Sequence, residues 1–152
     1  MKPIEIKITG HTTMSTQEIC AQFLDTQRWS EFEGHSILPG VKNASFELKT
    51  PALVGSRIKV LNTDGSAHVE EIIQWDVENG IAVRFQEFQA PLKNIATHFI
   101  EAWEFQKTGT GTQVTRRMTM YPKGLPGWFM LAPISILMKK SFEKNMLQLS
   151  RK

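Results

Sequence analysis

The chain has 152 residues, 41% of them hydrophobic and 22% charged, with a formal net charge of +3. That length and balance fit one soluble domain over residues 1–152 with enough chain to bury a core. Its single cysteine, Cys20, excludes an intramolecular disulfide. The opening Met-Lys-Pro-Ile-Glu lacks the apolar run of a secretory leader, so the expected compartment is a reducing cytoplasm. Five basic residues and one acid fall between Lys139 and Lys152, leaving 13 basic and 14 acidic residues elsewhere. The positive surplus therefore belongs to the end of the chain, where cations complement the negative end of a helix dipole. Nucleic-acid binding calls for basic residues interleaved with aromatics over a surface, and no such stretch occurs. No nucleic-acid partner is expected.

Ile4, Ile6 and Ile8 alternate with Glu5, Lys7 and Thr9, the period of a half-buried strand running to about Thr12. Ser15-Thr16-Gln17-Glu18 is a capping box, which predicts a helix carrying Ile19, Cys20, Phe23 and Leu24. Cys20 on such a helix reads as a small buried residue rather than a nucleophile. A second short helix is predicted around Gln27–Phe32, before Gly34, Pro39 and Gly40 break the chain.

Strands are then predicted at Ala44–Leu48, Gly55–Leu61, His68–Trp75 and Ile81–Phe85. Turn-forming residues separate them, notably Asn62-Thr63-Asp64-Gly65. A loop over Gln89–Asn94 leads to strands at Ile95–Phe105 and from Gly111 to Met120. Leu131, Ile134, Met138, Phe142, Met146 and Leu149 draw one stripe down a final helix. Pro133 is expected to start or kink it, and Pro133–Ser150 would give a rod of roughly 27 Å. A lone amphipathic helix after a strand-rich chain must lay its stripe on the sheet.

Four local signatures then bear on identity. Asp25 precedes Trp29 and Phe32, Gly55 opens a strand in Val54-Gly55-Ser56-Arg57, a hairpin enters as Gly111-Thr112-Gln113-Val114-Thr115, and the terminal helix ends basic. In this order they resemble the START/polyketide-cyclase-like (SRPBCC) superfamily, and most of all its polyketide cyclase/dehydrase and lipid-transport branch. The resemblance covers the whole chain. It implies an α+β helix-grip fold, a curved antiparallel sheet wrapped around a long C-terminal helix, with two short helices after the first strand. It also implies a cavity between sheet and helix for a hydrophobic small molecule, and no particular reaction.

Trp29, Phe32, Trp75, Phe85, Phe99, Trp103, Met118, Met120, Ile134, Met138 and Phe142 are the apolar candidates for that cavity, although such residues also make an ordinary core. Glu71 shares strand parity with Val69 and Trp75, and Glu101 with Phe99 and Trp103, so both carboxyls are candidates to point inward. Arg116, between Val114 and Met118, is placed to pair with one of them. If the protein is an enzyme, Glu101, Glu71 or His98 would move a proton on a bound ketone; a bulge or strand end would reverse the parity and put Glu71, Glu101 and Arg116 in solvent. His11, His35, His68 and His98 show no metal-ligand spacing, so neither a metal nor a cofactor is expected. The apolar stretch at Leu125–Met138 is too short to span a bilayer. Trp128 and Phe129, with Lys139 and Lys140, suit a peripheral membrane or protein contact.

Overall fold

The computed structural model describes residues 2–35 and 38–150. The alternating isoleucines form β1 (Ile4–Thr12), and Ser15 caps α1 (Thr16–Leu24), its hydroxyl accepting from the Glu18 amide at 3.1 Å. A 3-10 helix over Thr26–Glu31 follows. Then come β2 (Val41–Leu48), β3 (Arg57–Asn62), β4 (Ala67–Asp76), β5 (Gly80–Gln86), the one-turn α2 (Leu92–Ile95), β6 (Ala96–Thr108), β7 (Gly111–Pro122) and α3 (Gly124–Ser150). The turn α2 occupies the end of the segment expected to be a loop and takes Ile95, expected to open the next strand, so that β6 begins at Ala96.

These strands form one antiparallel sheet in the order β1-β7-β6-β5-β4-β3-β2. Every neighbouring pair except β1–β7 is consecutive in sequence, the arrangement that hairpins produce. β1 and β2 are opposite edges, so α1 and the 3-10 helix carry the chain from one edge to the other. The sheet and the long C-terminal helix make a helix-grip fold.

The terminal helix begins at Gly124, not at Pro133, which lies within it. Proline there removes the amide that would bond the carbonyl of Phe129. Phe129 and Pro133 lie on the exposed side, where water can take the orphaned carbonyl. Leu131, Phe142, Met146 and Leu149 of the predicted stripe are buried, and Ile134 and Met138 are half-buried. Of the basic cluster predicted over Lys139–Lys152, Arg151 and Lys152 lie outside the described residues.

Two glycines set how closely α3 docks. A Cβ on Gly10 of β1 would fall 2.3 Å from Met146 Cγ, and one on Gly127 of α3 would fall 2.4 Å from the Ile95 carbonyl oxygen. At the far end of the helix the buried Thr12 hydroxyl donates to the Leu149 carbonyl at 3.0 Å. That bond serves one of the last four carbonyls of the helix, which have no partner within it.

The apolar interior divides in two. Ile6, Ile8, Phe99, Val114, Met118, Met120, Leu131 and Phe142 join sheet to α3, whereas Ala44, Ile58, Val60, Ile72 and Val83 form a second cluster under the β2–β5 half. The space between the two clusters and the helix is the site described next.

Candidate functional site

A cavity of about 800 Å³ lies between the inner face of the sheet and α3. Phe23, Trp29 and Phe32 wall it from α1 and the segment after it; Phe85, Phe99 and Trp103 from the sheet; Ile134, Met138 and Phe142 from α3. Residues of the β3–β4 hairpin (Asp64, Gly65, Ser66) and of the β5–α2 loop (Gln89, Ala90, Pro91) complete the wall. The strand parity that brings Phe99, Glu101 and Trp103 to one face also brings Arg116 there, because β7 pairs Arg116 with Trp103 and Met118 with Glu101.

Three residues expected on this wall are elsewhere. Met118 and Met120 face inward but have no exposed surface, since they are packed in the cluster that holds Leu131 and Phe142. Trp75 lies against Phe23, ring centroids 6.0 Å apart, and is not among the lining residues.

Glu101 and Arg116 form a buried ion pair on the wall. The Arg116 Nε and Nη2 both donate to Glu101 Oε2, at 2.8 and 2.5 Å, and Trp103 Nε1 donates to the same oxygen at 2.8 Å. The guanidinium lies over the rings of Trp103 and Phe142, 4.4 and 4.1 Å from their centroids. Its Nη1 donates to Asn145 Oδ1 of α3 at 2.6 Å. Such a carboxylate is compensated on several sides, which makes it a structural anion rather than a free base.

The second carboxyl on the wall is Glu70, not Glu71. β4 slips register against β5 between Ile72 and Gln74, so the parity of Trp75 does not extend back to Glu71. Glu71 instead accepts from the Gln86 side chain at 3.3 Å and does not line the cavity. Glu70 is 6% exposed and lines it. Desolvation raises its pKa above the ordinary carboxyl value of 4.5, with the hydrogen bond from His68 acting in the opposite direction.

His68 completes this corner, and a chain of donors fixes its tautomer. The Ser66 hydroxyl donates to Asp64 Oδ1 at 2.6 Å, and Asn62 Nδ2 donates to Ser66 Oγ at 3.1 Å. The remaining Asn62 proton points to His68 Nδ1 at 3.3 Å, so His68 carries its own proton on Nε2 and donates it to Glu70 Oε2 at 2.9 Å. The imidazole stacks on Phe85 with centroids 5.3 Å apart. His98, the histidine expected to share proton transfer, stacks on Tyr121 at 4.3 Å and is not among the lining residues. A register shift between Ala96 and His98 precedes it, and burial lowers its pKa. The signal that could have found Glu70 was its alternation with His68 and Ile72; the tryptophan beyond the bulge masked it.

Other singled-out residues lie off the cavity. Cys20 is buried, and desolvation pushes its thiol pKa up to about 11. Trp128 meets Phe129 edge-on at 5.4 Å, and Phe129 is 63% exposed on the outer side of α3, with Lys139 and Lys140 exposed beyond it. Among the described residues no group of three or more His, Cys, Asp or Glu is placed to hold a metal ion, and no helix is long and apolar enough to cross a membrane.

Comparison with known proteins agrees with this architecture. TTHA0849 from Thermus thermophilus superposes with a TM-score of 0.70 at 15% identity, over 95% of this chain and 92% of that one. Ara h 8.0201 does so with a TM-score of 0.64 at 12% identity, over 96% and 99%. The di-domain ARO/CYC StfQ from the steffimycin biosynthetic pathway gives a TM-score of 0.64 at 14% identity, over 99% of this chain and 52% of that one. No curated protein matches the sequence at a significant level. These likenesses show a shared fold. Residues 5–152 match the family described as polyketide cyclase / dehydrase and lipid transport, and the chain belongs to that family.

Proposed function

We propose that the protein binds and carries a hydrophobic small molecule, of lipid, isoprenoid or polyketide-like type, in the cavity between sheet and α3. The observation that carries this reading is a chamber of about 800 Å³ walled by aromatic and aliphatic side chains. Ligand pockets run from roughly 300 to 1,000 Å³ and are mostly apolar, with a few polar groups that orient the ligand. His68, Glu70, Glu101 and Arg116 are such groups here. The family description, which includes lipid transport, supports the same reading.

A cyclase or dehydratase is the second reading. It is favoured by the His68–Glu70 pair on the cavity wall, because a buried carboxyl whose pKa is raised by desolvation is the usual form of a general acid or base. StfQ, a neighbour in fold, is itself an ARO/CYC of a biosynthetic pathway.

Titration with a polarity-sensitive dye tests the carrier reading, together with native mass spectrometry of protein purified from its source cells. Saturable, competable dye binding and a retained apolar ligand are the expected results. Trp103→Ala should weaken dye binding more than it disturbs the fold. Absence of saturable binding, or equal binding to the unfolded chain, would sink it.

A further inference from the structure

We infer that the polar wall of the cavity is built for an uncharged ligand bearing a hydroxyl group, and that it turns carboxylates away. The inference rests on the carrier reading above and narrows it to a ligand class.

The buried charges on the wall decide the matter. Arg116 is the one buried cation that the described lining residues supply, and Glu101 and Asn145 already hold it through three of its nitrogens. The guanidinium also lies over the rings of Trp103 and Phe142. An entering carboxylate would therefore find Arg116 already paired, and Arg28, the other arginine of the lining, is held by Glu31 at 3.1 Å. An anion buried without a partner is costly.

A hydroxyl fits where a carboxylate does not. Among the described residues the Glu70 carboxyl has one hydrogen-bond partner, His68, which reaches only Oε2. Its other oxygen can accept from a ligand O–H. Because burial holds this carboxyl towards its protonated form, it can also donate to the ligand oxygen, and a hydroxyl answers either state. The same tendency to neutrality weakens the site's attraction for an ammonium group.

The test is displacement of the bound dye at neutral pH by dodecanol, dodecanoate and dodecylamine, which share one chain and differ in the head group. Dodecanol should displace the dye at a concentration about tenfold or more below the other two, the scale set by leaving one buried polar group without its hydrogen bond. Glu70→Leu should narrow the gap between dodecanol and dodecanoate, since it removes the group that bonds the ligand hydroxyl. Dodecanoate or dodecylamine displacing as well as dodecanol, or failure of all three to displace a dye that does bind, overturns the inference and leaves the carrier reading standing. Failure of the dye itself to bind removes both. Circular dichroism establishes that the variant is folded, and the wild-type series alone still decides the inference if it is not.

Discussion

Glu101 on β6 and Arg116 on β7 sit on adjacent strands with side chains 7% and 5% exposed, joined at 2.5 Å between Oε2 and Nη2. Breaking a buried pair by removing one partner strands the other charge and costs about 3–5 kcal/mol. Glu101→Gln is expected to lower stability on that scale, read from the midpoint of chemical denaturation. Glu101→Leu combined with Arg116→Met should lose less than the sum of the single changes, since no charge is left unpaired. Additive losses would show that the two groups do not depend on each other.

Phe142 joins the two functions of α3, holding the helix to the sheet and lying under the Arg116 guanidinium. It is 2% exposed. Phe142→Ala should cost about 3–5 kcal/mol through lost burial and the space left behind. A denaturation midpoint within error of wild type would show that the helix does not depend on it.

The sequence carried the fold further than it carried the site. Alternation at Ile4–Ile8 and the Ser15–Glu18 capping box are local signals, and each folds as its pattern predicts. Parity along β6 was equally legible and brings Glu101 to Arg116. Glu71 was misplaced because a bulge is invisible to alternation: one extra residue between Ile72 and Gln74 turns the following side chains over. The start of α3 at Gly124 was hidden by Pro133, a residue that reads as a breaker when its surroundings are unknown. That Met118 and Met120 are packed solid while Met138 lines open space depends on where α3 lies, which no local pattern contains.

Close docking of α3 on β1 depends on a missing side chain. A Cβ at Gly10 would fall 2.3 Å from Met146 Cγ, so Gly10→Ala forces the methionine or the helix to move. Overpacking of this kind costs typically about 1–3 kcal/mol. Met146→Ala should recover part of that loss in the double variant, although it is destabilising alone. Thermal denaturation of the four proteins in the cycle measures the coupling, and zero coupling would mean that the two positions do not touch.

Cys20 is 3% exposed, and its thiol pKa is pushed up to about 11. The thiolate is the reactive form, so a thiol reagent at neutral pH should label the native protein slowly and the denatured protein fast. Labelling at equal rates in both states would place the thiol in solvent.

Glu70 gives the fold a pH dependence whose sign can be worked out. Its folded pKa lies above the ordinary value of 4.5, desolvation being the main cause. The folded state therefore holds this proton more tightly than the unfolded chain does. The resulting stabilisation is complete below the ordinary carboxyl range and is lost as pH rises through the folded pKa. Glu70→Gln cannot titrate, so its stability relative to wild type should improve as pH rises above about 4.5 and then level off. The groups that bear on Glu70 are His68 and Arg116, which lower its pKa, and Glu101, which raises it. His68→Phe keeps a ring against Phe85 but removes the donor to Glu70, so the pKa should climb further and the loss of stability with pH should extend to higher pH. Denaturation midpoints for wild type and both variants across pH 4 to 8 give the comparison. A difference between Glu70→Gln and wild type that stays constant over that range would mean that Glu70 titrates as an ordinary solvated carboxyl.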